Sequence, residues 1–272
     1  MIGANMKNLF IILLSALIFV SCKTKIADEK VIDNSAAEEI ALQKELEKSV
    51  KYVSGKDSVR AYFSLPSGDG PFPALIVIHE WWGLTSWIET NAAAFTNKGY
   101  AALAIDLYRG KSAKNSNEAH ELMRGLPPDR VTKDLQAAYS FLQSNPKVDK
   151  NRIGVIGWCM GGGYALQAAT ILPKLKAAVM NYGNLISEPQ NIRKIRCPLL
   201  GIFGETDRGI PIMDVQNFEQ SLNDLKKENK IIIYRNVGHA FMNPNNKEGY
   251  NYDITERAWR ETFAFLEKYL MK

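Results

Sequence analysis

The sequence predicts an α/β fold: a mostly parallel, doubly wound sheet with helices on both faces. Two observations carry this. From about Ser54 onward short apolar runs alternate with segments of helical period, and each run is continuously apolar rather than alternating. Continuous apolarity suits strands covered on both faces, as in a parallel sheet. Intervening helices supply the crossovers that parallel strands need.

In chain order, segments near Lys51–Val53 and Ser58–Leu65 read as an antiparallel start. Ala74–His79, Ala101–Ile105, Ile153–Ile156, Ala177–Met180, Pro198–Phe203 and Ile231–Tyr234 then suit buried strands. Val131, Leu135, Ala138 and Leu142 fall on one face of a helix, and a final helix is expected from about Asp253 to Leu270. The sequence shows no internal repeat, no second domain and no large cap domain, so residues 51–272 are expected to form one unit.

The N-terminal segment has a different character. Leu9–Val20 is a stretch of apolar or small residues preceded by Lys7 and followed by Ser21-Cys22. It is too short to span a bilayer as a helix but suits the apolar region of an export signal. Phe19-Val20-Ser21-Cys22 resembles the lipobox of bacterial lipoproteins, although Phe19 replaces the usual Leu. This predicts cleavage after residue 21, lipid attachment at Cys22, and an exported protein that is periplasmic or membrane-anchored. Residues 22–50 read as a tether. Within it Ser35 and Glu38 make a capping box for a short surface helix carrying Leu42, Leu46 and Val50.

Composition narrows the function. At 272 residues, with 46% apolar and 23% charged side chains, the chain has the makeup of a globular protein. The net charge of +5 is dispersed, which gives no electrostatic case for nucleic acid. His79-Glu80 opens like the zinc-protease motif HExxH, but Gly83 stands where the second His must be. With three scattered cysteines and three histidines, no metal and no cofactor are expected.

Chemistry in such a sheet collects at the carboxyl ends of strands. After Ile156 comes Gly157-Trp158-Cys159-Met160-Gly161-Gly162-Gly163, followed by a helical stretch. This is a nucleophile elbow, G-x-[Ser/Cys]-x-G, between a strand and a helix. Its glycines serve a turn too tight for a Cβ, and a helix N-terminus favours a thiolate through the local dipole. An elbow needs an acid and a histidine later in the chain, in that order. Asp207 follows the run ending at Phe203, and His239 follows the run ending at Tyr234. Glu205 is the second choice of acid, nearer the strand.

With these motifs in place, the chain from about Tyr52 onward resembles the dienelactone hydrolase family. The marks are His79-Glu80-Trp81-Trp82-Gly83-Leu84, Gly99-Tyr100-Ala101, Asp106-Leu107-Tyr108, the Cys159 elbow, Gly204-Glu205-Thr206-Asp207 and Gly238-His239-Ala240-Phe241. The resemblance implies an α/β-hydrolase fold and hydrolysis of a small ester or lactone through Cys159, Asp207 and His239. It also implies that Glu80 contacts the resting thiol and controls its ionisation, and that the N–H groups of Trp81 and Met160 form the oxyanion hole. Trp82, Tyr108, Arg109 and Asn243 are then the expected substrate-binding residues. Family members with the dienelactone substrate grip its carboxylate with two arginines. Here Arg109 follows Tyr108 without the family's one-residue gap, and Asn243 stands four residues after His239 in place of the other. A less anionic substrate is therefore expected; a general esterase or thioesterase, or a silent ligand-binding lipoprotein, are the alternatives.

Overall fold

A computed structural model describes residues 48–272. The export segment, Cys22 and the tether helix up to Leu46 lie outside the described residues.

One eight-stranded sheet organises Ser49–Lys272. The strands are β1 (Ser49–Ser54), β2 (Asp57–Ser64), β3 (Phe72–Ile78), β4 (Ala101–Ile105), β5 (Val148–Trp158), β6 (Ala177–Asn181), β7 (Leu199–Gly204) and β8 (Asn229–Tyr234). They lie in the order β1-β2-β4-β3-β5-β6-β7-β8, antiparallel across the first two pairings and parallel from β4 to β8. The helices are α1 (Ser86–Asn97), α2 (Ser116–Arg124), α3 (Pro128–Ser144), α4 (Met160–Ile171), the single turn α5 (Pro189–Ile192), α6 (Ile212–Asp224) and α7 (Tyr252–Leu266). The final helix closes as a π turn over Glu267–Met271.

Strand β3 shows why its apolar run is continuous. Ala74, Ile76 and Ile78 enter one core cluster, while Leu75 and Val77 enter another. With a side-chain period of two, a strand buried on both faces has no position left for a polar residue. Val131, Leu135, Ala138 and Leu142 are all buried on α3, on the face the periodicity marks.

Two expectations need correction. The fold begins at Ser49, not 51, and Val50 lies on β1 opposite Ala61 rather than on a tether helix. Val50 packs partly against the core from its place in the hairpin with β2. Strand β5 runs from Val148, well before the expected Ile153: Val148 is buried, but residues 149–152 are polar and partly or fully exposed. No apolar pattern could mark them.

Candidate active site

The elbow forms where the sequence places it. Cys159 joins β5 to α4 with φ 53° and ψ −120°, a backbone conformation costly for any residue with a Cβ. Its N–H donates to the Asn181 carbonyl at 3.0 Å, and its carbonyl accepts from the N–H groups of Gly162 and Gly163 at 2.9 and 3.2 Å. The glycines are needed because chain crosses chain. A Cβ on Gly157 would lie 2.1 Å from the Gly161 carbonyl oxygen, and one on Gly161 would lie 2.4 Å from the Ile78 oxygen.

His239 and Asp207 arrive from the loops after β8 and β7. The His239 Nδ1–H donates to Asp207 Oδ2 at 2.7 Å. Asp207 also accepts the N–H groups of Gly209 and Ile210 on Oδ1, at 2.8 and 3.2 Å. It therefore both caps its own turn and orients the imidazole. Burial opposes the imidazolium, but hydrogen bonds to Asp207 and to the Cys159 side chain outweigh it and hold the His239 pKa up at about 10. Glu205 instead accepts the Asn236 N–H at 3.1 Å, away from the imidazole.

Glu80 is only 2% exposed. Asn243 Nδ2 donates to its Oε2 at 2.6 Å, and the Tyr182 hydroxyl donates to its Oε1 at 3.4 Å. Burial pushes its pKa up to about 7, against the pull of Asn243, His239 and Tyr182. These two hydrogen bonds, not one to the thiol, hold the carboxyl group in this structure. The backbone N–H groups of Trp81 and Met160 have no acceptor among the described residues. Met160 opens α4, where N–H groups are left over by the helix itself. Two free donors on residues that line one cavity with Cys159 suit a developing oxyanion. The neighbouring His79 is fully buried, its Nδ1 at 2.5 Å from the Glu80 carbonyl and its Nε2 accepting the Leu107 N–H at 3.2 Å. Burial lowers its pKa, and this pairing suits a neutral ring.

These residues open on one cavity of about 1560 Å³, lined by Glu80, Trp81, Trp82, Cys159, Met160, Tyr182, His239 and Asn243 among others. Among the described residues, no group of three or more His, Cys, Asp or Glu side chains could hold a metal ion.

Two expected substrate-binding residues are elsewhere. The Arg109 guanidinium makes a two-pronged bond to buried Asp134, at 2.7 and 2.8 Å, and lies 3.5 Å from Asp57. Joined directly to Tyr108, with φ 59°, it turns back onto α3 and does not line the cavity. Tyr108 is buried behind the wall, its hydroxyl donating to Met160 Sδ at 3.3 Å. Tyr182 is the residue that sequence reasoning missed. It follows β6 with φ 38°, lies fully buried, and sets its ring edge-on to His239 at 5.2 Å. The signal available was a Tyr-Gly pair just past a buried strand, which is weak alone.

The family model for the dienelactone hydrolase family matches residues 59–270. The chain belongs to the dienelactone hydrolase family. It is accordingly a hydrolase acting on an ester or a lactone. A Yersinia pestis protein named "Putative carboxymethylenebutenolidase" is 32% identical over 75% of this chain and 81% of its own. Protein usf of Aquifex pyrophilus is 31% identical over 81% of this chain and 98% of its own. Among solved structures, one titled "Putative Dienelactone Hydrolase" from Klebsiella pneumoniae subsp. pneumoniae matches with a TM-score of 0.76 at 27% identity. It covers 81% of this chain and 98% of that one. In this member of the family the elbow stands between β5 and α4, near the centre of the sheet.

Proposed function

We propose that this hydrolase works through a covalent acyl-Cys159 intermediate on an ester or lactone less anionic than a dienelactone. The observation that carries the reading is the line from Asp207 through His239 to Cys159, a residue of strained backbone that shares its cavity with two free N–H donors. The Cys159 thiolate attacks the carbonyl carbon, and the oxyanion is held by the N–H groups of Trp81 and Met160. When the carbon–oxygen bond breaks, the His239 imidazolium gives its proton to the departing alkoxide. Water then attacks the thioester, His239 takes its proton, and the acid leaves as the thiol is restored. No cofactor enters these steps. The charge preference follows from the arginines: Asp134 retains Arg109, and a neutral amide stands at Asn243.

The test is direct. p-Nitrophenyl acetate mixed with the enzyme and quenched in acid within seconds should leave an acetyl group on the Cys159 peptide. Cys197, whose thiol burial pushes up to about 12, should carry none. Turnover that persists in Cys159→Ala would remove the proposal. We further propose an exported lipoprotein anchored at Cys22, supported by the apolar stretch and lipobox-like ending alone.

A further inference from the structure

The cavity, at about 1560 Å³, exceeds the roughly 300–1,000 Å³ usual for small-molecule sites. A small lactone leaves most of it empty. The lining also changes character across the sheet. On the side of β3 and β4 it is aromatic and apolar, from Trp81, Trp82, Ala113 and Met123. There Trp81 meets Trp82 edge-on at 5.1 Å and the His120 ring at 4.8 Å. On the side of β6 to β8 it is amides and charges, from Asn184, Glu188, Asn191, Asn245, Lys247 and Glu248. Tyr182, Leu185, Ile186 and Ala240 are the apolar residues on that side, beneath the exposed amides and charges.

Cys159 sits at the boundary, because β5 lies between β3 and β6. His239 comes from the β8 side, and the oxygen it protonates belongs to the leaving alcohol. The alcohol half therefore falls among the amides and charges, and the acyl half among the aromatic rings. Amide side chains both donate and accept, which matches hydroxyl groups. Edge-on aromatic walls match a flat apolar ring.

We propose that the substrate is an ester joining an aromatic acid to a polyhydroxylated alcohol, with a sugar hydroxyl as the fitting chemistry. This rests on Cys159 as nucleophile and His239 as the proton donor. Four probes test it: methyl glucoside 6-benzoate, methyl glucoside 6-acetate, ethyl benzoate and ethyl acetate. The benzoylated glucoside should exceed each of the two singly matched esters on the order of tenfold in kcat/KM. Trp82→Ala should lower the benzoyl-over-acetyl ratio and leave the glucoside-over-ethyl ratio in place. Asn245→Ala should do the converse. Equal kcat/KM on all four, turnover of none, or variants that act on the wrong ratio would each overturn the inference. Cys159→Ala separates the two levels. Activity surviving there sinks the nucleophile itself, whereas undiscriminating turnover that needs Cys159 sinks only the assignment of halves.

Discussion

Glu80 and Asn243 carry most of what single residues decide here. A buried carboxyl group whose folded pKa is about 7, against an ordinary 4.5, is stabilising only while it keeps its proton. The fold is thus most favoured below about pH 4.5 on this account, and the contribution is lost as pH rises through about 7. The difference is on the order of 3 kcal/mol. Glu80→Gln keeps the shape and cannot ionise. It should be more stable than wild type in urea at pH 8, with the gap closing at pH 5. A gap that does not move with pH would show that Glu80 does not titrate as assigned. Asn243→Arg addresses charge selectivity at the same place. Each charge-assisted bond to a substrate carboxylate is worth about 1.5–3 kcal/mol. The variant should raise the kcat/KM ratio of a carboxylated ester over its uncharged isostere by roughly tenfold or more. If wild type already favours the anion and the variant changes nothing, another cation serves that role.

At the scale of elements, the elbow is a packing problem before it is a catalytic one. Its start is crossed by the carbonyls of Ile78 and His79, 2.4 and 2.5 Å from where a Cβ on Gly161 would stand. Backbone cannot move aside as a flexible side chain can. Gly161→Ala should therefore cost about 3 kcal/mol or more and abolish turnover. Gly163→Ala is the control, since its nearest neighbour, the Asn184 nitrogen, would be 3.3 Å away. A helical Ala there adds propensity in return. Denaturant midpoints that place the two variants together would refute the crossing as the reason for glycine at 161.

At the scale of the molecule, the hydrolase fold starts at Ser49, and the residues with chemistry all come later. If lipid on Cys22 is the anchor, Cys22→Ala should move the protein from the membrane to the soluble fraction and leave kcat/KM unchanged. A variant that stays with the membrane would point to an uncleaved anchor instead. Association and catalysis are then separable properties of one chain.

The strands from β3 to β7 could be read from the sequence because double burial leaves apolar runs, as in Ala74–Ile78, and the edge strand β8 keeps such a run although it is only partly buried. Cys159, Asp207 and His239 could be read because each follows a strand end in the order that an elbow requires. The polar stretch early in β5 could not, since it bears no apolar run, nor could the strand role of Val50, whose spacing from Leu42 and Leu46 is helical. Arg109 shows the limit most plainly. Its position in the chain suggested a reach toward substrate, yet the buried Asp134 carboxylate, distant in sequence, claims the guanidinium with two bonds. Tyr182 is the same lesson reversed. The Tyr-Gly pair past β6 marks it only weakly, and the fold alone carries its hydroxyl to Glu80 and its ring to His239. Local pattern determines which residues sit at strand ends and can do chemistry. Which of them face one another is decided by long-range partners, because buried charges and hydroxyls must find those partners wherever the chain brings them.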